Sequence, residues 1–184
     1  IAIAVMMLDL VIYGQHVAFH AQPWLWRLHR THHSDPDLDV TTALRFHPFE
    51  IMLSLLIKLA AILVFGVSPL AVLIFEILLN ATAMFNHSNI ALPQSVDAIL
   101  RRFVVTPNMH RVHHSIDLRE ANSNFGFNLP WWAWLFGTYR PQPAAGYQAM
   151  TIGLAGFRAG RDQRIDQLLV QPLRQDVIEG SGHG

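Results

Sequence analysis

Residues 47–87 read HPFEIMLSLLIKLAAILVFGVSPLAVLIFEILLNATAMFNH, and this stretch decides the fold. Pro48 suits the first position of a helix and Glu50 its first turn. The apolar run that follows is broken at Gly66-Val67-Ser68-Pro69 and then resumes to Phe85. Each limb is roughly 18 residues, about 27 Å as helix, barely the thickness of a bilayer core. The reading is a transmembrane hairpin over 48–86 that crosses and returns; two buried core helices are the alternative. His47 enters the hairpin and His87 leaves it, so both belong to one side of the membrane.

Residues 1–22 read as a further membrane helix, apolar except for a stripe of Asp9, Tyr13, His16 and His20 within roughly 60° of one another. An aspartate there needs a partner. Pro23, Trp24 and Trp26 suit a chain leaving the bilayer through its interfacial belt. A helix over Leu28–Ser34 then carries His29-Arg30-Thr31-His32-His33. The pattern returns as His110-Arg111-Val112-His113-His114, on a helix started by Thr106 and Pro107. Histidines at i, i+3 and i+4 lie on one helix face, so each triplet is expected to present three imidazoles to a single point. With the hairpin closed, all histidines from His16 to His114 can meet in one head. Arg27, Arg30, Arg45, Arg101, Arg102, Arg111 and Arg119 accompany them, which by the positive-inside rule makes the head cytoplasmic.

Composition agrees. The chain is 52% hydrophobic and 14% charged, against about 25% charged in soluble domains. Zero net charge and the lack of a basic run give no sign of nucleic-acid binding. With no cysteine, any metal must be held by imidazole and carboxylate. The chain opens Ile1-Ala2-Ile3, which reads as a fragment lacking an upstream segment. It is expected to be one domain over 1–184, all-α: an integral membrane helical bundle with a transmembrane hairpin and a cytosolic histidine-rich di-metal head. Ser95–Phe103 reads as an amphipathic surface helix, and Trp131, Trp132 and Trp134 as an interfacial anchor or the border of a lipid entrance. Residues 140–184 read as a polar C-terminal cap with a short helix over Ile165–Arg174. His183 falls in a frayed tail and is no ligand.

Nine histidines are candidate metal ligands: His16, His20, His29, His32, His33, His87, His110, His113 and His114. One ion takes three or four imidazoles, so nine imply two ions. Two ions with open positions beside a membrane suit redox chemistry on a lipid, taking hydrogen from an unactivated C–H bond, which no side chain can do. Asp9 is expected to orient a ligand imidazole; Glu76 either does the same or makes an interhelical contact. The chain has no Gly-x-Ser-x-Gly elbow, no His-Glu-x-x-His motif and no Gly-rich dinucleotide loop. Electrons must therefore come from a separate donor. A metal transporter would need polar residues along both limbs, and a bis-histidine haem carrier would have no use for triplets.

Taken in order, the residues resemble one family. Asp9, Tyr13-x-x-His16-x-x-x-His20, His29-x-x-His32-His33, Arg45-Phe46-His47-Pro48-x-Glu50, His87-Ser88-Asn89, Thr106-Pro107-x-x-His110-Arg111-x-His113-His114, Asn122-x-Asn124-Phe125-Gly126 and Leu135-Phe136-Gly137-Thr138-Tyr139 are similar to the fatty acid hydroxylase/sterol desaturase superfamily. The resemblance implies a di-iron membrane oxygenase: two iron ions held by the eight box histidines and His87, with O2 as co-substrate. It also implies a membrane lipid as substrate and a reductase with ferredoxin or cytochrome as electron donor. His47 matches a position whose role is structural or one of supporting the ligands from behind, and Asn124 is expected to support them. Two departures stand out. Ala91 replaces a histidine of the fatty acid 2-hydroxylase branch. Ala133 replaces an aspartate common in the family, where the expected loss is only a surface hydrogen bond.

Overall fold

A computed structural model describes residues 1–175, so His183 and the expected tail lie outside the described residues. Three helices are long and apolar enough to cross a membrane: α1 (Ala2–Ala21), α3 (Pro48–Phe65) and α4 (Pro69–Asn86). Between the first two stands α2 (Pro23–His33). The short helices that follow are α5 (Gln94–Leu100), α6 (Pro107–His113), α7 (Leu118–Ala121), α8 (Trp131–Leu135) and α9 (Ile165–Val170). Among the described residues the only strand-like pairing is a single bridge between Ser115 and Ile152.

The hairpin forms as its sequence dictates. The His47 side chain accepts from the Phe49 N–H at the start of α3, with Pro48 at the first helical position. Gly66 ends α3 at φ 60°, a conformation glycine adopts without penalty. The Ser68 hydroxyl then caps α4 by accepting from Ala71 N–H. Lys58 Nζ and Glu76 Oε1 meet at 2.5 Å across the limbs. The interhelical alternative for Glu76 is thus the observed one.

Leu8 and Ile12 of α1 pack on Ala61 and Phe75 of the hairpin to form the core. Ile51, Met52, Leu56, Leu63, Val64 and Ile77 are exposed instead. Apolar side chains pointing out of a helical bundle are what lipid requires, so the molecule is an integral membrane protein.

Helix α2 begins five residues before the expected Leu28. Gln22 is extended (φ −99°, ψ 120°) and breaks α1, and Pro23 starts the next helix at a position whose N–H needs no partner. Trp24 and Trp26 are therefore helical. The opposite end of α2 is clamped by Arg45, whose guanidinium donates to Thr31 O at 3.1 Å and Gln163 Oε1 at 2.5 Å. Buried Arg30 lies over the Phe157 ring at 5.0 Å and donates to the Gln171 carbonyl. Residues 155–174 are held over the head in this way.

A second core unites Val105, Met109 and Ala133. Ala133 is wholly buried there, so the expected surface hydrogen bond has no counterpart. An aspartate at this position would sit among apolar side chains. The turn before α8 is tight at Gly126, where an added Cβ would lie 2.7 Å from Leu129 O and 3.2 Å from Val105 Cγ2. Gly126→Ala is expected to lower stability by about 1–3 kcal/mol through overpacking, read as a drop in melting temperature with metal content as the control.

Candidate metal centre

Four helices bring the nine predicted histidines together: α1 delivers His16 and His20, α2 the first triplet, the end of α4 His87, and α6 with its C-cap the second triplet. They fall into two groups. His16, His20, His29, His33 and His113 form one; His32, His87, His110 and His114 form the other, with ligand atoms in each within 4.8 Å of one another.

This division corrects the expectation that each triplet serves one point. His29 and His33 go to the first group and His32 to the second; His110 and His114 go to the second and His113 to the first. The helical wheel explains it. Positions i and i+4 differ by roughly 40°, whereas i+3 and i+4 differ by roughly 100°. An i, i+4 pair can share a point while the intervening residue turns to another. Each triplet therefore spans both groups and fixes the distance between them.

Hydrogen bonds set the tautomers. Nδ1–H donates to a backbone carbonyl in His16 (Phe125 O, 2.8 Å), His32 (Thr42 O, 3.1 Å), His87 (Ala83 O, 2.7 Å) and His113 (Ser123 O, 2.8 Å). His29 Nδ1–H donates to Glu50 Oε1 at 2.6 Å. A carbonyl or carboxylate can only accept, so a neutral ring bonded in this way has a lone pair and no proton on Nε2. Yet His16 Nε2 and His29 Nε2 are 3.0 Å apart, and His32 Nε2 and His87 Nε2 are 3.1 Å apart. His113 Nε2 is buried with no hydrogen-bond partner at all.

Lone pairs facing at such distances repel unless positive charge lies between them. Imidazole nitrogens bind first-row ions at roughly 2.0–2.1 Å, which puts two ligands at right angles about 3.0 Å apart. The donor set therefore fits a metal ion in each group. Burial, followed by neighbouring imidazoles, holds His32, His33, His110, His113 and His114 well below the usual imidazole pKa. His87 is lowered to about 4, again chiefly by burial. Neutral rings are the form that binds metal.

Of the residues expected behind the imidazoles, Asp9 and Glu76 bond elsewhere, while His47 and Asn124 hold backbone. Asp9 touches no imidazole; its carboxylate accepts from Asn128 N, Leu129 N and Trp132 Nε1 at 2.8–3.3 Å. A buried carboxylate about two turns below His16 meets residues 128–132 before it could meet a ring. Glu76 is taken by Lys58, one helix half away from the head. His47 caps α3 and bonds Leu169 O through Nε2 at 3.2 Å, outside both groups. Asn124, at φ 51°, donates to Met109 O and Arg140 O and accepts from Arg140 N. It shapes the turn whose neighbouring carbonyls, Ser123 O and Phe125 O, receive His113 and His16.

Glu50 is the carboxylate that does orient one of the nine imidazoles, His29, a role beyond the helix start that its position suggests. Its place three residues after His47 in the matched element was the available signal. Glu50→Ala is expected to weaken metal affinity about 10–100-fold, measured by chelator competition, with Glu50→Gln losing less because an amide oxygen still accepts. Of the two expectations for the tryptophans, the border of a lipid entrance finds no counterpart in the cavity beside the histidines. Trp132 serves Asp9 and Trp131 Nε1 donates to Arg102 O at 2.7 Å, and neither lines that cavity.

Comparison with known proteins agrees with this geometry. The family model for fatty acid hydroxylases matches residues 1–138. Ornithine lipid hydroxylase OlsE of Rhizobium tropici is 29% identical over 158 residues, covering 85% of this chain and 46% of that protein. Human alkylglycerol monooxygenase is 28% identical over 141 residues, covering 73% and 29%. Cholesterol 25-hydroxylase of Rattus norvegicus is 23% identical over 145 residues, covering 78% and 47%. The chain thus spans less than half the length of each of these relatives. No solved structure matches it.

Proposed function

This chain belongs to the fatty acid hydroxylase family, and from that premise we propose that it is an O2-dependent di-iron oxidoreductase of membranes that hydroxylates or desaturates a lipid. The observation that carries the reading is the pair of imidazole groups whose Nε2 atoms converge to 3.0–3.1 Å while the Nδ1 atoms of the same rings face oxygen acceptors. Nine histidines in a chain without cysteine exceed what one structural ion needs. When bound, iron would supply the activation of O2 needed to break an unactivated C–H bond.

The protein residues have separate tasks. His16, His20, His29, His33 and His113 would hold one ion, and His32, His87, His110 and His114 the other. Backbone carbonyls at Phe125, Thr42, Ala83 and Ser123, with Glu50, keep the rings in the tautomer that offers Nε2. Phe46 stacks on His32 at 4.4 Å and Phe125 packs edge-on to His113 at 5.5 Å, excluding water from the groups. His110 ligand atoms converge with their neighbours at about 3 Å, which leaves no space for a porphyrin between opposed rings.

We place the head on the cytoplasmic side, supported by its arginines, and assign the electrons to a separate reductase with ferredoxin or cytochrome. One domain comprising the bundle and its C-terminal cover is the unit we expect to fold around the metals. Lipids extracted from cells expressing the chain, compared by mass spectrometry with those from a His110→Ala control, test the reading. Added oxygen or lost hydrogen pairs in only the first is the expected result; identical profiles in the presence of a competent reductase would overturn it.

A further inference from the structure

Between α1, α3 and α4 lies a cavity of ≈ 330 Å³, with His16, His29 and Glu50 at one end and Lys58, Glu76 and Asn80 at the other. A cavity for a plain hydrocarbon chain would be apolar throughout. This one carries polar atoms deep in membrane-spanning helices, and they differ in whether they are satisfied.

The far end is closed on itself. Lys58 pairs with Glu76, and Asn80 Nδ2 donates to the Glu76 carbonyl at 2.8 Å. The wall nearest the histidines is not. Gln15 Nε2 donates to Ser54 Oγ at 2.9 Å, while Gln15 Oε1 is buried with no partner. Glu50 gives Oε1 to His29, while Glu50 Oε2 is also buried with no partner. Both residues line the cavity. Buried acceptors without donors are costly, more so where no water is at hand, and such groups usually face a ligand.

We propose that this cavity selects a lipid whose bound segment carries a hydroxyl or amine, received by Gln15 Oε1 and Glu50 Oε2. The inference deepens the oxygenase reading and rests on it for the fate of the bound lipid. Gln15 adjoins His16 in sequence and Glu50 is bonded to His29, so the donor group is held beside the metal groups. The carbon oxidised is then one close to that polar group rather than one far along an apolar tail. A purely hydrocarbon segment would leave both acceptors desolvated and unpaired. Sites built to receive a donor discriminate strongly against analogues that lack it.

The test is equilibrium binding to the metal-loaded chain in lipid nanodiscs, with hexadecanol and its methyl ether as probes and retained probe measured by mass spectrometry. The two share chain and oxygen, but the ether has no donor. Hexadecanol is expected to bind about tenfold tighter or more, and Gln15→Leu to remove most of that preference with metal content unchanged. Equal binding of the two probes by the unaltered chain, or an undiminished preference in Gln15→Leu, would overturn the proposal. Turnover separates the two readings. A chain that prefers the alcohol but oxidises no lipid loses the oxygenase assignment, and one that oxidises the ether as fast as the alcohol loses only the selectivity.

Discussion

His110→Ala is expected to lower bound metal from about two ions per chain to about one, and to reduce oxidised lipid to background. His110 Nε2 lies 3.0 Å from His87 Nε2 and 3.2 Å from His114 Nε2, at the centre of the smaller group. That group has four imidazoles where the other has five, so its loss to three leaves no spare ligand. Alanine is the best helix former, and position 110 is interior to α6, so the helix itself should persist. The matching substitution in the larger group, His113→Ala, should retain more metal because four imidazoles remain. Metal analysis of the purified variants decides it. Two ions per chain in His110→Ala, or full activity, would refute the assignment of His110 as a ligand.

The second large effect is expected at a residue that touches no histidine. Asp9 is 1% exposed and receives three N–H groups, two from the loop backbone at 128–129 and one from the Trp132 side chain in α8. Asp9→Ala strands all three donors inside the bundle, at a cost of about 3–5 kcal/mol. The loop it releases is continuous with Ser123 and Phe125, whose carbonyls fix the tautomers of His113 and His16. Loss of Asp9 should therefore depress both the melting temperature and metal retention. Asp9→Asn, which keeps one accepting oxygen, should recover part of each. An Asp9→Ala chain as stable and as well metallated as the original would show that the loop is held by its other contacts.

The membrane helices were legible because their signal is local. Proline, serine and glycine at 47–48 and 66–69 mark the ends of two apolar runs, and each acts through backbone groups a few residues away. The nine histidines were legible as a set because helical spacing and one hairpin suffice to put them on one side. The start of α2 was misjudged because a proline following an apolar helix reads equally well as an exit and as a first helical residue. What Ala133 would lose was misjudged because burial at a position is not written in its neighbours. Gln15 carries no signal in the sequence, since a single amide in an apolar helix has no spacing to betray it.

Sequence alone determined the all-helical membrane fold, the hairpin, the nine imidazoles and the family, since each follows from residue type at short, regular spacing. The tertiary structure decided which histidine joins which imidazole group, because a helix turns 100° per residue and the partners come from other helices. It also decided that Glu50 rather than Asp9 or Glu76 steadies one of these imidazoles. A carboxylate bonds the nearest donor in space, and that neighbour exists only once distant segments have packed.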